Sequence, residues 1–429
     1  MKKAFVRNTA MIAFAACALI VGTGYAAWTY VGADPEARSA EASVGEFKYP
    51  GWYDIVDGKE KFNNDLGFLV RGATYDATTH ALLTLPSDAS SGLSICGLRN
   101  YNSCPVVYFP SAIADPNNPS VFYSVTSFES EYTGNGYSRG QRSLFGTISW
   151  TSDYKTYSFT DDDGANQAAI QKIRFALPGL TNNSLAYIGT RSFADMSGCT
   201  DISLDRCSAL QYIDEWAFCR IPTLTSFKLP SGFTCTPAME KTTGSNIALA
   251  RSLGHFSTSK GNMFGMLHHC DALTSFDFDD YPNITAIPAN MFRDCVGLTN
   301  LRIPSRIEMI YTKGSNTNRN TAFGASDLNG LKGQMSLANV YYGGTAAQFA
   351  AKVASSSNAA RYDADLFANY AGFPAFQTNG SYDEAKGVVH CLTKVNGNYQ
   401  YIKMSNLKNK NGTGIVDDPT FVEPDFSTW

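Results

Sequence analysis

Leu185-Ala-Tyr-Ile188-Gly-Thr-Arg-Ser-Phe193 returns 25 residues later as Leu210-Gln-Tyr-Ile213-Asp-Glu-Trp-Ala-Phe218, and its spacing recurs in Ile284-Thr-Ala-Ile287-Pro-Ala-Asn-Met-Phe292. Between these lies a second recurring half. Its copies are Cys199-Thr-Asp-Ile202-Ser-Leu204, Leu224-Thr-Ser-Phe227-Lys-Leu229, Leu273-Thr-Ser-Phe276-Asp-Phe278, Leu298-Thr-Asn-Leu301-Arg-Ile303 and Leu337-Ala-Asn-Val340-Tyr-Tyr342. A fixed period of this length is the signature of a solenoid, in which each copy is one coil and neighbours share a continuous core.

In most copies the last two apolar residues are separated by one polar residue, the period-two pattern of a short strand with one buried face. Pro178, Pro230 and Pro304 are placed to stop three such strands, and the chain then runs through the Leu-x-x-Ile segment and inverts around the Phe. A single coil cannot bury its own apolar side, so the copies must stack.

The regular step from the last strand residue to the next inverting aromatic is 14 residues, as from Leu204 to Phe218 and from Phe278 to Phe292. From Leu229 to Leu267, which takes the aromatic's place, the step is 38, and from Ile303 to Phe323 it is 20, with the polar run from Lys313 to Asn320 in between. Loops inserted into one half of a solenoid's coils tend to project from one side and to carry binding surface. The step from Phe323 to Leu337 is also stretched, so the last coil is enlarged in both halves.

These residues resemble the BspA-type leucine-rich repeats of bacterial cell-surface proteins. Ala217-Phe218, Ala322-Phe323, Leu224-Thr-Ser-Phe-Lys-Leu-Pro230 and Phe292-Arg-Asp-Cys295 suit that consensus. Val340-Tyr-Tyr-Gly-Gly-Thr345-Ala-Ala-Gln-Phe349 is similar to the segment that closes such arrays, with Phe349 in place of the usual tryptophan. Val388-Val-His-Cys391 is similar to the strand that often follows, without the usual Thr-Asp-Gly after the cysteine. The resemblance runs from about Ile170 to Cys391. It implies a leucine-rich-repeat solenoid with a C-terminal cap. Together with the β-rich reading of the N-terminal region, the fold expected is mainly β with short helices. Thr345 is a suitable N-cap for a short helix through Val353 that would cover the open end of the last coil.

The organisation expected is a signal peptide or membrane anchor over 1–27, a β-rich region over 28–165, the solenoid over 166–350, and a cap with a flexible tail over 351–429. Lys2, Lys3 and Arg7 precede an apolar run from Ala10 to Ala27 that closes with small residues before Trp28, the order of a secretory signal. Its length is also near that of the shortest bilayer-spanning helices. The region from Trp28 to Asp163 carries short apolar runs such as Ala81-Leu-Leu-Thr-Leu85 and Val106-Val-Tyr-Phe109 between turn signals, which suits either a separate β domain or a degenerate opening of the solenoid.

A net charge of -4, more negative without the basic leader, offers no field for nucleic acid. Nine cysteines follow the leader, an odd number. Cys270 and Cys295 fall in the column held elsewhere by Met196 and Ile221, which favours two buried thiols, whereas Cys96 and Cys104 flank a polar loop and are the better disulfide candidates. His268-His-Cys-Asp271 is the only local cluster resembling metal ligands, and Cys270's core position argues against it, so no metal is assigned. Asp161-Asp-Asp163-Gly-Ala-Asn166 lacks the alternating carboxylates of an EF-hand loop and fits an acidic turn.

The nucleophile-elbow, zincin and P-loop motifs are absent, and Ser257-Thr-Ser-Lys260 fits a catalytic pattern only within the polar insertion. No catalytic residue or cofactor is assigned, and the chain is expected not to be an enzyme. The expected function is an exported, surface-displayed or secreted protein-binding and adhesion scaffold, located extracellularly or at the cell surface. Its partners would be host or neighbouring-cell surface proteins or glycans, and its candidate surface is the outward strand column Ser203, Lys228, Asp277, Arg302 and Tyr341, mixed in charge. The alternatives are a secreted enzyme with its site in the N-terminal region and a structural component of the envelope or matrix.

Overall fold

The computed structural model describes residues 50–65, 67–76, 78–79, 81–98, 104–129, 144–145, 147–150, 157–160, 168–236, 262–288, 290–310, 338–344, 388–395, 398–404, 407–408 and 411–412. The leader, the acidic run 161–166, both polar insertions, Phe323 and the expected helix after Thr345 lie outside them.

The recurring strand half forms a parallel front sheet. Lys172–Arg174, Asp201–Ser203 and Ser226–Lys228 stack in order, with Ile173, Ile202 and Phe227 in register and buried while their neighbours face outward. The Leu-x-x-Ile half forms a back ladder in which Tyr187–Ile188 pairs with Tyr212–Ile213. Both sheets extend upstream of the repeats recognised in the sequence. Val106–Tyr108 pairs in parallel with Lys172–Arg174, and Asn118–Phe128 pairs in parallel with Tyr187–Ile188.

The side chains follow the same register. Phe109 stacks on Phe175 with ring centroids 5.5 Å apart, so Val107-Tyr-Phe109 supplies the same inward pair as Ile173-Arg-Phe175. An antiparallel hairpin, Gly51–Val56 with Lys59–Asp65, closes the front sheet at this end, which covers a sheet edge that would otherwise template association.

After the first insertion a second front sheet runs Ser275–Asp277, Asn300–Ile303, Asn339–Tyr342 and Val388–Val395, all parallel, and ends in the antiparallel strand Asn398–Met404. Pro230 and Pro304 stand just past their strands, whereas Pro178 lies in the turn beyond Phe175. Single helical turns are found at Ala89–Ser91 and Phe278–Asp280.

The inversions form a third line of stacking, the corner. Main-chain N–H groups of Phe193, Phe218 and Leu267 donate to the carbonyls of Ala217, Met266 and Met291, at 2.9, 3.2 and 3.0 Å. Each corner uses two left-handed residues four positions apart: Arg191 and Asp195, Trp216 and Arg220, Gly265 and His269, Asn290 and Asp294, with φ between 53° and 64°. Non-glycine residues adopt this region at a cost of roughly 1–2 kcal/mol each, which the stacked neighbours must offset. Glycine is required at one of them, because a Cβ on Gly265 would lie 2.5 Å from the Trp216 ring.

The column of Phe193, Phe218, Leu267 and Phe292 is fully buried, as is that of Met196, Ile221, Cys270 and Cys295. Cys270 and Cys295 are free thiols that donate to the carbonyls of Phe218 and Leu267. No disulfide joins Cys96 to Cys104, and both are buried, contrary to the bridge expected from their loop. Cys96 packs with Leu69 and Tyr75, while Cys104 belongs to the main core, so the two thiols occupy different clusters.

Candidate functional site

Two outward rows cross the first front sheet. One carries Arg174, Ser203 and Lys228, and the other Lys172, Asp201 and Ser226. Arg174 pairs with Asp201 across adjacent strands, and Lys228 is exposed. Of the five residues of the expected column, Ser203 and Lys228 lie here side by side.

Asp277, Arg302 and Tyr341 lie together in the second front sheet, in a row that continues to His390. Arg302 pairs with Asp277 at 3.1 Å and with Asp279 at 2.8 Å, and Arg306 pairs with the same Asp279 at 2.8 Å. Burial pushes the Asp277 carboxyl above the usual range, against the pull of Arg302. Tyr341 was expected on an exposed column, yet it is buried. Its ring stacks on His390 at 4.6 Å, and Tyr401 meets it edge-on at 5.5 Å, because the sheet continues for two strands past it. The five residues therefore divide between two sheets and do not form a single exposed stripe.

A second group of polar residues gathers at the corner, only part of which stands together in the chain as His268-His-Cys-Asp271. His268 and His269 leave the coil after Gly265, and Asp294 leaves the next coil at the position equivalent to His269. His268 Nε2 is 3.0 Å and His269 Nε2 3.5 Å from the same oxygen, Asp294 Oδ2. Arg293 Nε lies 3.5 Å from that oxygen, and the Trp216 ring meets His268 edge-on. Burial lowers His268 to about 4, opposed by its contact with Asp294, so the imidazole is neutral at physiological pH. Cys270, the other candidate in the local motif, turns into the core and takes no part. Asp294 comes from the neighbouring coil, so only the repeat register could have pointed to it.

A buried carboxylate sits beside the back ladder. Asp214 accepts hydrogen bonds from the Tyr187 hydroxyl at 2.7 Å, the Thr190 hydroxyl at 3.0 Å and the Glu215 amide at 2.7 Å. Burial nevertheless raises it to about 7.

With this geometry established, comparison with known proteins is informative about the repeat. The family described as BspA type Leucine rich repeat region matches residues 169–265 and 261–317, in six copies. Over residues 169–317 the array is similar to that repeat. That match covers the coils from Lys172–Arg174 to Met309–Ile310, while the upstream strands that extend its sheets and the strands from Asn339 onward fall outside it.

Three solved structures are similar to the chain. A leucine-rich cell surface protein from Faecalibacterium prausnitzii is 15% identical, with 61% of this chain and 53% of that one covered and a TM-score of 0.28. A leucine-rich-repeat protein of T. pallidum is 15% identical, with 60% and 81% covered and a TM-score of 0.30. A leucine-rich-repeat protein from Bacteroides ovatus is 16% identical, with 64% and 71% covered and a TM-score of 0.19. The chain thus spans about half the length of the Faecalibacterium protein. No curated protein matches the chain.

Proposed function

We propose that the chain is an exported scaffold, displayed at the cell surface or secreted, that binds a protein or glycan of a host or neighbouring cell. The observation that supports this reading is the outward face of the first front sheet, where successive coils present Arg174, Ser203 and Lys228 in one register beside Lys172, Asp201 and Ser226. A stacked backbone fixes these side chains at about 4.8 Å intervals, so binding need not order the surface first. The mixed charge suits a specific partner better than a uniform polyanion. The Asp277–Arg302 pair would add a second charged patch, with Arg302 partly withdrawn into its ion pairs.

The test is binding of the purified chain to matrix proteins, glycans and intact cells, with Lys228→Glu as the surface variant. A loss of at least about tenfold in affinity at unchanged melting temperature supports the reading, since a rim charge reversal acts on association and leaves the core intact. No binding above an unrelated repeat protein across the panel counts against it. Cell fractionation with N-terminal sequencing tests export, and a cytoplasmic product with an intact leader would contradict it.

A further inference from the structure

We propose that His268, His269 and Asp294 form a binding site for one divalent transition-metal ion of the zinc class, with Asp271 orienting His269 from behind. The three ligand atoms lie within 4.8 Å of one another. Zinc takes nitrogen and oxygen ligands at about 2.0–2.2 Å in tetrahedral arrangement, so two ligand atoms on one ion stand roughly 3.3 Å apart. The two histidine-to-Asp294 separations, 3.0 and 3.5 Å, bracket that value. Two imidazoles and one carboxylate suit a borderline-soft ion and disfavour calcium or magnesium, which prefer all-oxygen shells.

The outer groups fit as well. A ligating histidine generally donates its other ring N–H to a carboxylate, which fixes the tautomer. Asp271 Oδ1 lies 3.7 Å from His269 Nδ1, and this buried oxygen has no hydrogen-bond partner. Once Nε2 holds a metal, the proton on Nδ1 has an acceptor within a small rotation. The backbone also sets the ligands in place. His269 and Asp294 both sit in left-handed corner positions, and the His269 amide donates to the Arg293 carbonyl at 2.9 Å, which locks the register of the two coils. The metal would replace the Arg293 guanidinium as the cation nearest Asp294 Oδ2.

Three protein ligands leave a fourth position open, and the His269 side chain, 41% exposed, marks the side facing solvent. The ion would bridge the first coil after the insertion to the coil that follows it. A ligand that binds only the folded state raises the melting temperature with concentration.

The test is titration of the full chain with zinc, read by calorimetry and thermal melting, with cobalt as a spectroscopic stand-in. One equivalent of zinc, a rise in melting temperature, and a weakening of at least about a hundredfold in His269→Gln are expected. Asp271→Asn should weaken binding about 10–100-fold, the range for an orienting partner. His269 is partly exposed, so His269→Gln remains folded even where Asp294→Asn does not. Absence of zinc binding overturns the proposal. So does binding with equal affinity in His269→Gln, which would assign the ion to other groups such as the thiols.

Discussion

At the first insertion the corner and the front sheet respond differently to the same interruption. The corner passes through it unchanged, since Phe218 donates to Met266 across the gap and Leu267 donates on to Met291. The front sheet divides instead. Ser203 pairs with Lys228, yet no ladder among the described residues joins Ser226–Lys228 to Ser275–Asp277. Where Leu204 donates to a main-chain carbonyl of the next strand, Leu229 donates to the Tyr281 hydroxyl at 3.3 Å. The back ladder takes an intermediate course. Beyond Tyr212–Ile213 the fully buried Asn262 side chain accepts from the Ile213 amide at 2.9 Å and donates to the Gln211 and Thr234 carbonyls. An amide side chain thus makes hydrogen bonds that a peptide group of a next strand would make, and Cys235 joins Ile284 by a single bridge. Continuity of a solenoid across an insertion is therefore a property of each ladder separately.

The sharpest way to break this contrast is at the corner. Phe218→Ala removes a ring stacked on Phe193 at 5.3 Å in the uninterrupted line, and should cost about 3–5 kcal/mol in denaturant unfolding. A loss under about 1 kcal/mol would show that the corner does not hold the two blocks together.

The next largest effect concerns Asp214, which belongs to the intact coils before the insertion. Its folded pKa is raised to about 7, above the ordinary carboxylate value, so its contribution to stability is full below about pH 4 and is lost as pH rises through 7. Asp214→Asn should remove that decline. The variant is expected to gain up to about 4 kcal/mol relative to the parent between pH 4 and 8, and parallel pH profiles would refute the assignment.

Asn262→Ala withdraws this side-chain amide and leaves the Ile213 amide buried without it, for an expected cost of about 2 kcal/mol. Hydrogen exchange should then speed up at Ile213 more than at Phe218. Tyr281→Phe is the mildest change. It deletes the hydroxyl that receives Leu229, and about 1 kcal/mol is expected, with faster exchange confined to Leu229.

Much of this was legible in the chain because the repeat is a statement about burial. Ile202, Phe227, Phe276 and Leu301 each stand nine residues after a corner residue, and every one is buried at the strand centre. The upstream copy at Val107-Tyr-Phe109 was harder to recognise. It keeps only one strand's worth of the pattern, and the long excursions around it hide the period. The candidate surface was half legible. Alternation correctly turned Lys228 and Ser203 outward, but alternation is blind to what covers a face, and Tyr401 arrives from 60 residues beyond Tyr341.

The sequence by itself determined the period, the inward columns and the thiol positions of Cys270 and Cys295, since these follow from which side of a coil can be dry. Tertiary structure alone decided where the front sheet divides, that Asn262 bonds to the Ile213 amide, and that Asp294 meets His268 and His269. Those outcomes depend on how one coil is laid on the next, and residues of adjacent coils become neighbours only through stacking.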